Sequence, residues 1–206
     1  MERKITTILN FFNSQFPDAK CELDYSTPYQ LLVAVILSAQ CTDKRVNMVT
    51  KNLFKIAPTP EKMLELGENK LKQIIHSCGF YNNKSKSILS ATKSIIDQFN
   101  GQVPNTMDKL SSLAGVGRKT ANVVLSEAFN QPAIAVDTHV HRISKRLGLT
   151  TENSTPEKCE QDLLKIVPYK FQSKFHIQAV WFGRYFCKSL NPQCENCKLK
   201  SICKRK

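Results

Sequence analysis

Two groups of residues in this chain stand at spacings that chemistry can use. The first is Cys187-x6-Cys194-x2-Cys197-x5-Cys203, four thiols within seventeen residues near the C-terminus. Thiolates separated by short loops can converge on one metal centre. A tetrahedral zinc site is the generic expectation, and such sites commonly use paired Cys-x2-Cys units. Only one pair here has that spacing and the outer cysteines spread wider, which suits a larger cluster with one thiolate per iron. The residues alone leave zinc and iron–sulfur level. A centre whose coordination positions are all cysteine has no opening for substrate, so its work is in folding and in shaping a basic surface. Lys188, Lys198, Lys200, Lys204, Arg205 and Lys206 surround it, either as a solvated tail or as contacts for phosphate.

The second group is Leu113-Ala114-Gly115-Val116-Gly117-Arg118-Lys119-Thr120, followed by an apolar helical pattern. It reads as a short helix end, a tight Gly-Val-Gly hairpin, and a second helix. Glycines at 115 and 117 permit backbone conformations that a Cβ would forbid. A hairpin running straight into a helix start leaves backbone N–H groups and the positive helix end directed at an anion. The P-loop spacing is absent and no strand pattern precedes the motif, so a phosphate of a polymer backbone fits better than a nucleotide triphosphate. Lys119 is either a surface lysine touching that phosphate or a nucleophile. Asp137, at the start of a later helical pattern, is either only an N-cap or an acid with a defined orientation.

The elements that must carry these groups are helical. Ile5, Ile8, Leu9, Phe12 and Phe16 predict an N-terminal amphipathic helix ending before Pro17. Pro28 opens a run to Ser38 that is apolar on all sides, and proline at its first position favours a central helix over a strand. Thr42-Asp43, Thr59-Pro60-Glu61 and Thr155-Pro156-Glu157 are helix starts, and Asn105 with Asp108 resembles a capping pair before the hairpin. Gly67 separates two helical stretches, Gly79 to Asn83 forms a turn exposing Phe80 and Tyr81, and Gly101 caps the following helix. Phe171 to Tyr185 supplies the last helix, and no β-alternation is present. The expected class is all-α, with about ten short helices.

The balance of 30 Lys+Arg against 17 Asp+Glu, a net +13 over 206 residues, points to a polyanionic partner, nucleic acid before membrane. The N-terminus lacks the apolar core of a secretion signal, and the longest apolar run, Leu31 to Leu37, is far too short to span a bilayer. The expectation is therefore a cytoplasmic protein, with cysteines used for metal or left as thiols and not for disulfides.

The hairpin resembles the helix-hairpin-helix of DNA base-excision glycosylases, most closely that of the endonuclease III family. The resemblance extends through Leu37-Ser38-Ala39-Gln40, Tyr81-Asn82-Asn83-Lys84, Ala135 to Arg142, and the cysteine loop at every interval, and so covers nearly the whole chain. It implies a 4Fe–4S cluster on Cys187, Cys194, Cys197 and Cys203, Lys119 as nucleophile and Asp137 as essential acid. It further implies DNA contacts from Gly115, Val116, Gly117 and Arg118, and from Gln40, which fills the space of an everted nucleotide. Phe80 stands where the family has a wedging leucine, and Ala114 where proline is usual. His139 and His141 flank the acid, placed to orient it or to meet phosphate.

The implied fold is two helical lobes with a DNA cleft between them: residues 21 to 131, a six-helix domain with the hairpin, and 1 to 20 plus 132 to 206, a cluster domain. The implied enzyme is a bacterial, nucleoid-associated monomer acting on double-stranded DNA with a damaged base or abasic site. Lys119 would attack C1′ of an oxidised pyrimidine nucleotide, forming a Schiff base from which β-elimination breaks the strand. Lysine attacks only as the neutral amine, and partial burial beside Arg118 and the positive helix end would favour that form. The alternatives are an adenine-type glycosylase without lyase activity, which lacks lysine at this position, and a non-catalytic DNA-binding module.

Overall fold

The computed structural model describes residues 2–205, and its regular elements are helical throughout the described residues. Ten α-helices run in the order α1 (Glu2–Gln15), α2 (Pro28–Ser38), α3 (Asp43–Ile56), α4 (Pro60–Ile75), α5 (Tyr81–Phe99), α6 (Met107–Ser111), α7 (Arg118–Phe129), α8 (Thr138–Arg146), α9 (Pro156–Ile166) and α10 (Gln172–Trp181). Short 3₁₀ turns and one π-helical turn, Phe182–Phe186, complete them. No helix among the described residues is long and apolar enough to cross a membrane.

Threonine starts four of these helices for one reason. The hydroxyls of Thr27, Thr42, Thr59 and Thr155 accept from the backbone N–H three residues on, at 3.2, 3.3, 3.4 and 3.2 Å. Three of them precede a proline at the first helical position, where the missing N–H has no partner to lose. Gly67 adopts φ 75°, ψ 166° and kinks α4. Two expectations shift by a residue. Asn100, at φ 52°, takes the cap of α5 ahead of Gly101, and Thr106, without a side-chain bond, takes the N-cap of α6 in place of Asn105. The turn before α5 is confined to Gly79 and Phe80, because Asn82 and Asn83 already belong to the helix.

Contacts divide the chain into two compact units, Glu22–Phe129 and Met1–Cys21 with Asn130–Lys206. In the first, α2 is buried from Tyr29 to Leu37 and packs against α3, α5 and α7. Its continuous apolar surface is a central helix surrounded by others. In the second, α1 lays Ile8 and Phe12 against Phe175 and Phe182, with ring centroids 5.7 and 5.4 Å from Phe12, and Val140, Ile143 and Leu163 close the same core. The expected last helix ends at Trp181. The chain then widens into the π turn, in which Cys187 N–H reaches the Phe182 carbonyl at 2.6 Å, and this re-aims the chain into the cysteine loop.

Candidate active site and thiol cluster

The hairpin is built on one obligatory glycine. Gly115 has φ 76°, and a Cβ there would lie 2.7 Å from the Ser87 Cβ. Gly117 has no such constraint, since its φ is ordinary and a Cβ would meet nothing within 4 Å. The expectation that both glycines are conformationally required is therefore half right, and the space at Gly117 is room for something outside the chain. Val116 is buried and its N–H closes the turn onto the Leu113 carbonyl at 3.1 Å, while the Gly117 carbonyl accepts from Ala121 at 2.9 Å as the first bond of α7. No acidic residue stands in the first turn of α7, which leaves its positive end uncompensated by the chain itself.

Lys119 sits in that first turn, exposed, with no hydrogen bond or ion pair to its amine among the described residues. Exposure corrects the expected partial burial, because the chain alone does not desolvate this amine. Arg118, also exposed, begins the helix.

The Gln40 and Phe80 turns lie beside the hairpin in the same unit. Gly115 approaches Ser87 of α5 and Ile36 of α2, and Gln40 follows α2 while Phe80 immediately precedes α5. Both residues are exposed, at φ 53° and 48°. Lys84, which drew no separate attention in the sequence, is 6 % exposed and donates from Nζ to the carbonyls of Leu37 and Cys78, each at 2.8 Å. Burial pushes its pKa below the ordinary lysine value, against an upward pull from the thiols of Cys41 and Cys78. A signal for it existed: Lys84 lies four residues before Ile88, on the apolar face of α5.

In the other unit Asp137 is half-buried at the N-cap of α8. Its Oδ1 accepts from both His139 N–H at 2.9 Å and Val140 N–H at 2.8 Å, while Oδ2 accepts nothing among the described residues. Capping thus uses one oxygen and leaves the other available. His139 packs beneath Gly183, where a Cβ would come 2.8 Å from its own, and its Nδ1 faces Arg142 Nη2 at 3.3 Å. Burial lowers its pKa, the Asp137 carboxylate opposes that, and the Arg142 and Arg184 guanidinium groups reinforce it. The net effect of these surroundings is toward the neutral ring. His141 Nε2 is 2.8 Å from the Ser154 carbonyl, a bracing contact within the unit.

The four cysteines line one cavity of about 410 Å³, together with Arg146, Leu147, Phe182, Phe186 and others. Burial raises the Cys197 thiol above its ordinary range, the Leu199 backbone N–H opposes this, and the sulfurs of Cys187, Cys203 and Cys194 add to it. Among the described residues no three His, Cys, Asp or Glu groups could hold a metal ion directly. Arg146 donates to the Cys187 sulfur at 3.2 Å and to the Lys188 carbonyl at 2.8 Å, and Arg142 donates to the carbonyls of Gly183 at 2.8 Å and Cys187 at 3.1 Å. Arg142 stands in the Ala135 to Arg142 stretch without an assigned role and Arg146 lies beyond it, and the partners of both are some forty residues away in the chain.

A hairpin open to an anion, an unpaired lysine on it and a basic, thiol-rich unit define a nucleic-acid enzyme class, and comparison with known proteins agrees. The model of the HhH-GPD superfamily of base excision DNA repair proteins matches residues 33–169. Endonuclease III of Bacillus subtilis (strain 168) is 48% identical over 202 residues, spanning 98% of this chain and 92% of that protein. Endonuclease III of Escherichia coli (strain K12) is 42% identical over 199 residues, spanning 97% and 94%. The solved structure of a trapped endonuclease III–DNA covalent intermediate superposes with a TM-score of 0.95 at 46% identity, covering 99% of this chain and 96% of that one. The chain belongs to the endonuclease III family within the HhH-GPD superfamily, base-excision repair enzymes that are DNA glycosylases and abasic-site lyases.

Proposed function

We propose that this chain removes oxidised pyrimidines from double-stranded DNA and then breaks the strand at the abasic site by β-elimination, with Lys119 as nucleophile and Asp137 as its acid partner. The observation that carries this reading is the Lys119 amine, exposed and unpaired, at the start of α7 behind the Gly115–Gly117 hairpin. The hairpin holds a phosphate of the damaged strand through the backbone N–H groups of Gly115 and Gly117, with Arg118 adding charge, while Val116 shapes the turn through its own N–H bond to the Leu113 carbonyl. The target nucleotide leaves the stack, which costs a few kcal/mol and less where the base is damaged. DNA supplies the desolvation of Lys119 that the free chain lacks.

The neutral amine attacks C1′ and forms the C–N bond as the bond to the base breaks, the base departing with a proton. Oδ2 of Asp137 stabilises the positive charge that develops on the sugar and serves the proton transfers, while Oδ1 stays committed to the helix cap. Opening of the C1′–O4′ bond gives the protonated imine. Loss of a C2′ proton then expels the 3′ phosphate, and water releases the lysine. Gln40 occupies the vacated space and Phe80 meets the opposite strand. His139 holds Arg142 and stands near the acid.

Cys187, Cys194, Cys197 and Cys203 are the residues that would hold a 4Fe–4S cluster, one iron each. Four thiols lining a cavity with a guanidinium on one sulfur suit an anionic polynuclear cluster better than a single ion. Such a cluster supplies folding of the loop and carries no step of base removal. The chain, with its hairpin domain over 21 to 131 and its cluster domain over 1 to 20 plus 132 to 206, works as a monomer on chromosomal DNA in the bacterial cytoplasm. Sodium borohydride with an abasic-site duplex tests the reading: an amine-linked protein–DNA adduct forms with the wild type and is lost in Lys119→Ala. Base removal without any adduct would point to an adenine-type glycosylase, and salt-sensitive binding alone to a non-catalytic module.

A further inference from the structure

Gln40 and Phe80 share an unusual backbone. Each is a non-glycine residue in the left-handed region, a conformation ordinarily left to glycine, and each is exposed, Phe80 by 63 %. The two belong to different turns, one after α2 and one before α5. Lys84 is the group that ties these turns together. Its ammonium, buried in the apolar face of α5 with Ile88 and Ile95, donates to the carbonyl of Leu37, three residues before Gln40, and of Cys78, two residues before Phe80. Burying a charge there is costly unless its donors are used, and an aliphatic residue would fill the same face without that cost. Two hydrogen bonds of 2.8 Å to two separate stretches of backbone, the end of α2 and the turn before α5, offset that cost and fix the spacing between them.

We propose that Lys84 is a positioning residue that sets the distance and direction between the Gln40 and Phe80 turns, so that both side chains enter the duplex together as the damaged nucleotide is everted. The proposal rests on the reading of Gln40 and Phe80 as DNA-inserting residues. A merely structural lysine would weaken every activity alike. A brace acts where a duplex has to be opened.

The test is a mutant cycle with two substrates. Single-turnover excision is measured on a duplex carrying one thymine glycol, and borohydride trapping on a single-stranded oligonucleotide with one abasic site. Lys84→Met, which keeps the length and removes the donors, is expected to lose about tenfold more rate on the duplex than on the single strand, within the range for directly coupled residues. Placed in the Gln40→Ala/Phe80→Ala background, the same change should add no further loss. Equal loss on both substrates, full additivity in that background, or an unaffected duplex rate would each overturn the proposal. If Gln40→Ala/Phe80→Ala itself leaves duplex excision intact, the insertion reading has failed and the brace falls with it, an outcome separate from the others. Should Lys84→Met not fold by circular dichroism, Lys84→Gln, which retains an amide donor, goes through the same cycle.

Discussion

Asp137 caps α8 through Oδ1 alone, so replacing it by asparagine and by alanine separates the cap from the chemistry. Alanine strips the acceptor from two backbone N–H groups, those of His139 and Val140. Loss of such a cap, with its charge at the positive helix end, costs about 2 kcal/mol. For a chain of this size that lowers Tm by about 4–8 °C. Asparagine presents an amide oxygen to the same two donors and is as good a cap, so it loses only the charge contribution, about 1 kcal/mol or less. For excision the two variants should behave alike, because both lack the carboxylate that the proposed mechanism sets against the developing cation. Removal of one preorganised electrostatic group costs about 10²–10³ in rate. The expected signature is Asp137→Asn melting close to wild type yet excising thymine glycol at least about a hundredfold more slowly in single turnover. If instead Asp137→Asn excises normally while Asp137→Ala loses activity in step with its Tm, Asp137 is a cap and nothing more.

Other substitutions read the hairpin and the cluster. Gly115→Ala meets both a φ of 76° and the Ser87 Cβ at 2.7 Å, and thermal melts should show a loss of about 2 kcal/mol or more. Gly117→Ala meets nothing within 4 Å and should melt as wild type, while binding an abasic-analogue duplex about tenfold more weakly, the worth of one charge-assisted hydrogen bond to phosphate; unchanged binding would mean that no phosphate approaches there. The purified protein should be brown, absorb in the visible, and carry about four irons per chain by metal analysis. Arg146→Met, which removes the donor to the Cys187 sulfur, should hasten bleaching of that absorbance, and a colourless zinc-containing sample would refute the cluster.

What the sequence revealed, and what it hid, follows the range of the interactions. The starts at Thr42-Asp43, Thr59-Pro60 and Thr155-Pro156 were legible because a hydroxyl and the N–H three residues on are neighbours in the chain. The helical nature of Pro28–Ser38 was legible for the same local reason, although its apolar run suits a strand equally. Where two candidate caps stand side by side, as at Asn105 and Thr106, and the one that takes the position makes no side-chain bond, local pattern has nothing to choose by. The two hairpin glycines look alike in sequence, and only the position of Ser87 separates the one that is required from the one that is open. Lys119 and Asp137 stand out as candidates from their motifs. The exposure of Lys119 and the division of labour between the two oxygens of Asp137 are set by the folded surroundings and not by residue type. Lys84, Arg142 and Arg146 act on backbone carbonyls, which carry no sequence identity, and so left no pattern of partners to notice.

Those three residues also explain how short helices hold reactive groups firmly. In the unit of Asp137, α8 is nine residues long, about 13 Å at the helical rise. Its first turn is fixed by the Asp137 cap, and its last by Arg146, whose guanidinium holds the Cys187 end of the thiol loop while its carbonyl accepts from Lys204 N–H at 2.7 Å. Arg142, one turn earlier, holds the π turn at Gly183. Asp137 and the arginine that holds the cysteine loop therefore stand at the two ends of one short helix. In the other unit the same logic is met by a different part: α5 begins at Phe80, carries Lys84 one turn in, and meets the hairpin at Ser87. Phe80 and Asp137 thus each stand about one turn from a cation spent on backbone carbonyls, Lys84 in one unit and Arg142 in the other. That is why charged residues invisible to the catalytic motifs carry so much of the site's order.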